Sequence, residues 1–104
     1  MADREKIPVR KTLGSEGLEP YRVLGRSVRR DIEESRIDIE ELSERSRWDW
    51  QTIRRIMVGE RRTDFVELII IAVLISQDQS EMEELILTWV REVFKSINQG
   101  IPPR

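Results

Sequence analysis

The chain of 104 residues contains no cysteine and no histidine. Without cysteine there are no disulfides and no thiolate metal sites. Without histidine the commonest general base and the commonest metal ligand are gone. Long apolar runs are also missing. The longest, Leu68 to Ile75, is eight residues, against the ~20 needed to span a bilayer. The opening MADREKIPVRK is polar and charged, unlike a secretory signal. No glycine-rich phosphate loop or nucleophile–base pair is apparent. Glu40 and Glu44 share a helix face, but solvated helix faces carry carboxylates in the same way. The expectation is a cytoplasmic protein that is not an enzyme, with no cofactor, no metal and no membrane contact.

Charge, by contrast, is plentiful and segregated. The net charge is −2, but its distribution matters more than its sum. Residues 1–30 carry +4, residues 31–44 carry −6, residues 45–62 carry +4 and residues 63–104 carry −4. Two basic segments thus flank one acidic segment.

Residues 1–20 have few apolar side chains and include glycines and prolines. They are expected to form a flexible arm. Its Arg4, Lys6, Arg10 and Lys11 suit contact with phosphates or a minor groove, and equally suit plain disorder.

From Tyr21 the apolar spacing becomes helical: Val23, Leu24, Val28 and Ile32 recur near a period of 3.6. A first helix is expected over about 21–35. Asp38 is a candidate N-cap, with Glu41 as capping-box partner, for a short helix over 39–46. Asp49 repeats the signal before a helix over 50–57, which Gly59 is placed to end. Thr63 or Asp64 can cap a fourth helix reaching Ile75. Ser80 can cap a fifth, running to about Asn98. No segment sustains a period of two, so the fold expected is all-α, with five helices. The organisation expected is an arm (1–20), a core region (21–78) and an extended C-terminal helix (79–104).

Two short helices joined by a tight turn form the central unit. Their close approach needs a small residue midway along the first, and Ser43 supplies it. Leu42, Trp48, Ile53 and Ile56 can fill the core below. The outer face of the second helix then carries Trp50, Gln51, Arg54 and Arg55. A helix is about as wide as the DNA major groove, so such side chains can reach base edges. Arg54 and Arg55 also fit a solvated helix face that binds nothing, and Trp50 also fits a protein interface.

The stretch IDIEELSERSRWDWQTIRRIMVGER, Ile37 to Arg61, resembles the Cro/lambda-repressor (XRE-like) helix-turn-helix family without a gap. It shows a polar cap, Glu-Glu-Leu, a small residue, a turn, a second cap, then Thr-Ile-x-Arg-Ile and a glycine. LGRSVRRDIEES resembles the family's first helix and FVELIIIAVLIS its fourth, so residues 22–78 are covered. The sequence departs from the family at Ile39, where glutamine is usual, and at Arg47, where glycine is usual. A non-glycine in a left-handed turn costs about 1 kcal/mol, so a reshaped turn is expected there.

The resemblance implies a lambda-repressor-like DNA-binding domain and a transcriptional regulator, repressor-like, occupying an operator. By this resemblance residues 50, 51, 54 and 55 face bases. Arg54 and Arg55 suit guanine, Gln51 suits adenine, and Arg47, Arg61 and Arg62 lie near phosphates. The alternative is a protein-interaction module, an antitoxin or antiactivator, that keeps the same scaffold to hold a partner protein.

Leu68 to Ile75 is apolar all round, which predicts burial on more than one face. The fifth helix carries one stripe: Met82, Leu85, Ile86, Trp89, Val90, Val93, Phe94 and Ile97. It suits either the protomer's own core or a homodimer. The homodimer is favoured, because the stripe is longer than so small a core covers. A twofold dimer places two reading helices one DNA turn apart, about 34 Å, on a palindromic site.

Overall fold

The computed structural model describes residues 19–100, which form five α-helices with no strand among them. These are α1 (Glu19–Ser35), α2 (Ile39–Ser46), α3 (Trp50–Val58), α4 (Phe65–Ile75) and α5 (Gln79–Gly100). None is long and apolar enough to cross a membrane. The expected arm lies almost wholly outside the described residues. Glu19 and Pro20 do not belong to it, because they open α1. Proline is tolerated in a first turn, where its missing N–H has no helical acceptor anyway.

Short polar side chains set the helix starts. The Asp38 carboxylate accepts the Glu41 amide (2.8 Å) at the head of α2, and that of Asp49 accepts the Gln51 amide (3.1 Å) at the head of α3. Asp64, rather than Thr63, caps α4. Its carboxylate accepts the Glu67 amide while the Glu67 carboxylate accepts the Asp64 amide, closing a full capping box. The box expected at α2 is only half made, because Glu41 turns its carboxylate towards Arg45, 3.8 Å away. The cap of α5 is Asp78 and not Ser80: Asp78 accepts the Glu81 amide at 2.8 Å, and Glu81 reaches back to the Gln77 amide.

The core is one cluster drawn from every helix. Leu24, Val28 and Ile32 of α1 meet Leu42 of α2, Ile53 and Ile56 of α3, Leu68, Ile71, Ala72 and Ile75 of α4, and Trp89 of α5. Helix α1 packs against α3, α4 and α5, which makes it the central element. Its crossing with α3 depends on glycine. A Cβ on Gly25 would lie 2.5 Å from the Ile56 carbonyl oxygen and 2.8 Å from that of Met57. A Cβ on Gly59 would lie 2.6 Å from the Arg22 Cα. Helix α1 therefore rests directly on the backbone at the end of α3.

One expectation about the apolar helices is corrected, that for α5. In the apolar run of α4, Leu68, Ile71, Ala72 and Ile75 are buried, Ile69, Ile70 and Leu74 are partly covered, and Val73 is exposed. The stripe of α5 is not one surface. Trp89, expected at a dimer contact, is completely buried within its own protomer, and its indole N–H donates to the Asp31 carboxylate of α1 at 2.7 Å. A buried indole needs such an acceptor, so the side chain belongs to the joint between α1 and α5. Met82, Leu85, Ile86 and Val93 are half-buried against the same core. Val90, Phe94 and Ile97 stay exposed. The reason is register: residues three, four or seven from Trp89 share its face, while Val90, Phe94 and Ile97 fall about 80–140° away.

Candidate functional site

Helices α2 and α3 are held together by a short turn with a dense set of local hydrogen bonds. The Ser43 hydroxyl donates to the Trp48 carbonyl. The Trp48 amide donates to the Ser46 hydroxyl (3.1 Å), and the Ser46 hydroxyl donates to the Ser43 carbonyl (3.3 Å). A bulky side chain at position 43 would remove the first bond and separate the helices. Arg47 ends α2 with φ 66° and ψ 20°, and its amide donates to the Ser43 carbonyl at 2.8 Å. An arginine thus holds the left-handed position that closes α2. Ile39, half-buried, packs against the core.

Helix α3 divides cleanly. Ile53 and Ile56 are buried, and Met57 packs beside them. The opposite face presents Trp50, Gln51, Arg54 and Arg55, all exposed, with Trp50 half open to solvent. Trp48 is drawn partly into the core instead. The two tryptophans of one turn thus take opposite roles.

The arginines differ in how free they are. Among the described residues, Arg47, Arg54, Arg55 and Arg62 make no ion pair and are exposed. Arg61 is bound: its guanidinium donates through two nitrogens to both Glu67 oxygens. That hydrogen-bonded pairing raises the Arg61 pKa, against an opposing effect of burial. Because Glu67 also closes the capping box of α4, Arg61 has a structural partner and is less available to a ligand than Arg62. Arg30 is likewise occupied. Its hydrogen bond with Asp31 raises its pKa, and the Asp31 Oδ2 that accepts from Arg30 also accepts from the Trp89 indole.

One neighbour of this face was not anticipated. Trp50 lines a shallow groove with Asp38, Glu40, Glu41, Ser43 and Glu44 of α2 and its cap. The exposed surface of the pair therefore has two characters: cationic along Arg54 and Arg55, acidic beside Trp50. The acidic run in the sequence was the available signal. Its position against Trp50 required the crossing of the two helices. No protein-family model, curated protein or solved structure matches the chain.

Proposed function

We propose that the chain is a sequence-specific double-stranded DNA-binding regulator, repressor-like, in which α2 and α3 act as a helix-turn-helix and α3 enters the major groove. The observation that carries this reading is the outer face of α3: Trp50, Gln51, Arg54 and Arg55 stand out together, opposite the buried Ile53 and Ile56. Two adjacent arginines without carboxylate partners among the described residues are free to make bidentate hydrogen bonds with guanine. Arg47 and Arg62, at the two ends of the helix, suit phosphate contacts, which give affinity without sequence preference. Acting as a homodimer, the regulator would occupy a palindromic operator.

The test is a salt-titrated binding assay on the DNA upstream of its own gene, with random DNA as competitor. The expected complex survives competitor and weakens steeply as salt rises. Replacing Arg54 and Arg55 together by alanine removes the preference for the operator, at about 1–3 kcal/mol for each arginine–guanine pair, and leaves helicity unchanged. Unchanged affinity in this variant would overturn the assignment of α3 as the reading helix.

The acidic groove beside Trp50 supports a second reading, a protein-interaction module of the antitoxin or antiactivator kind. Carboxylates there repel a DNA backbone and attract a basic surface. Binding no tighter to the operator than to random DNA, together with capture of the product of a neighbouring gene, would favour it.

A further inference from the structure

The exposed side chains of α5 form a second apolar row, distinct from the row that enters the core. Leu87, Val90, Phe94 and Ile97 are all exposed, Phe94 by 63%. Spaced three, four and three apart, they stand one above another on the helix, over a length of about 15 Å at 1.5 Å per residue. One turn before Leu87 the row starts with Glu83, exposed and in no ion pair among the described residues. Nothing covers the row among the described residues.

Helices α1 and α5 run antiparallel. Asp31 of α1 accepts from Trp89 of α5 at 2.7 Å, while Glu34 and Ser35, further along α1, share a groove with Glu81 and Leu85, nearer the start of α5. Each step back along α1 is thus a step forward along α5, and α1 begins at Glu19 about level with the end of α5 at Gly100. The chain that precedes Glu19 therefore arrives beside the Ile97 end of the row. Its sequence suits the row in the same order. Back beyond Leu18 come Leu13, then Val9 and Ile7, then Lys6, and residues 6–15 hold three cations and no carboxylate. Pro8 favours an extended backbone for itself and for Ile7. Extended, residues 7–13 span about 20 Å, enough for the whole row, and the link from Leu13 to Glu19 reaches as far again, about 20 Å.

We infer that residues 7–13, which lie outside the described residues, dock along this row of their own chain, with Leu13 towards Ile97, Val9 and Ile7 towards Val90 and Leu87, and Lys6 towards Glu83. Aliphatic side chains meet an apolar surface, and a cation meets the carboxylate at its far end. Because the segment is tethered a few residues from the row, its effective concentration there is high, and a contact too small to hold a separate partner suffices. The inference goes beyond the proposed function and does not rest on it. It gives the basic arm a place on α5, away from the outer face of α3, and any second copy of the chain must displace the arm to use the row.

The absence of cysteine makes the test direct, since Arg10→Cys in the full chain takes a single nitroxide label. The label is expected to reduce the amide NMR intensities of Val90 and Phe94 by at least half, while Glu40 and Glu44 of α2 keep theirs. Adding Val9→Ser with Leu13→Ser to the labelled chain restores those intensities, with unchanged far-UV circular dichroism. Isotope-labelled chain without the nitroxide, mixed with nitroxide-labelled chain, keeps its intensities. Undiminished signals at Val90 and Phe94 in the labelled chain would overturn the proposal, as would the same loss in the serine variant. Loss of signal in the mixed sample would overturn it too, and would assign the row to a second copy. No DNA is present, so the outcome is separate from that of operator binding.

Discussion

Trp89 and Trp50 are the same residue on two helices of one small fold, and they have opposite environments. Trp89 fills the joint between α1 and α5, with no solvent exposure and its N–H held by Asp31. Trp50 opens α3 with half its surface in water, beside the carboxylates of α2 and its cap. The contrast separates what the chain spends on stability from what it leaves for a partner. A large aromatic inside is explained by the core. A large aromatic outside, next to two free arginines, is not explained by the fold at all and points to function.

The largest expected effect tests this division directly. Trp89→Ala should cost about 3–5 kcal/mol, since it opens a cavity and leaves the Asp31 carboxylate without its indole partner. Trp50→Ala should change stability by no more than about 0.5 kcal/mol. Urea denaturation of both variants measures the two values. Similar losses would mean that Trp50 is as structural as Trp89, and the comparison would fail.

A smaller effect asks whether α1 meets α3 as closely as it meets α5. Gly25→Ala should destabilise by about 1–3 kcal/mol, because the new methyl meets backbone oxygens of Ile56 and Met57, which cannot rotate away as a side chain does. A neutral result in the same denaturation measurement would show that the two helices can separate without cost.

Helix positions were largely legible in the sequence because short polar side chains mark them. Asp38, Asp49 and Asp64 sit at helix starts, and α2 spans residues 39–46 as its cap and apolar spacing imply. Where two candidates stood close together the signal was ambiguous: Ser80 and Asp78 both suit a cap, and the longer reach of a carboxylate two residues earlier prevailed. The division of the α5 stripe was not legible. All eight apolar residues satisfy a three-four spacing somewhere, and only the packing of α1 and α4 on α5 selects which of them are covered. Gly25 was overlooked because a glycine inside a helix carries no sign of what presses on it. For the candidate site, the outward set Trp50, Gln51, Arg54 and Arg55 was visible from periodicity alone. The ion pair that occupies Arg61 and the acidic groove beside Trp50 depend on how separate elements meet, which periodicity does not contain.

The smallest effect concerns the turn that delivers Trp50. Arg47 and Gly59 end consecutive helices in the same left-handed conformation, with φ 66° and 80°. Only one is glycine, and the difference lies in what stands beside each. At Gly59 a Cβ would strike the backbone of Arg22; Arg47 is exposed and its side chain extends into solvent. The left-handed backbone alone costs an arginine about 1 kcal/mol, and a packed neighbour makes the position impassable. Arg47→Gly should therefore stabilise the fold only slightly, by up to about 0.5 kcal/mol, once the greater freedom of glycine in the unfolded chain is subtracted. Under the proposed function it should also weaken DNA binding slightly and uniformly across sequences, with a shallower dependence on salt. Denaturation midpoints and the slope of affinity against salt read the two effects separately. A gain in stability with an unchanged salt slope would leave Arg47 as a strained turn residue alone, and would shift the phosphate-binding role to Arg62.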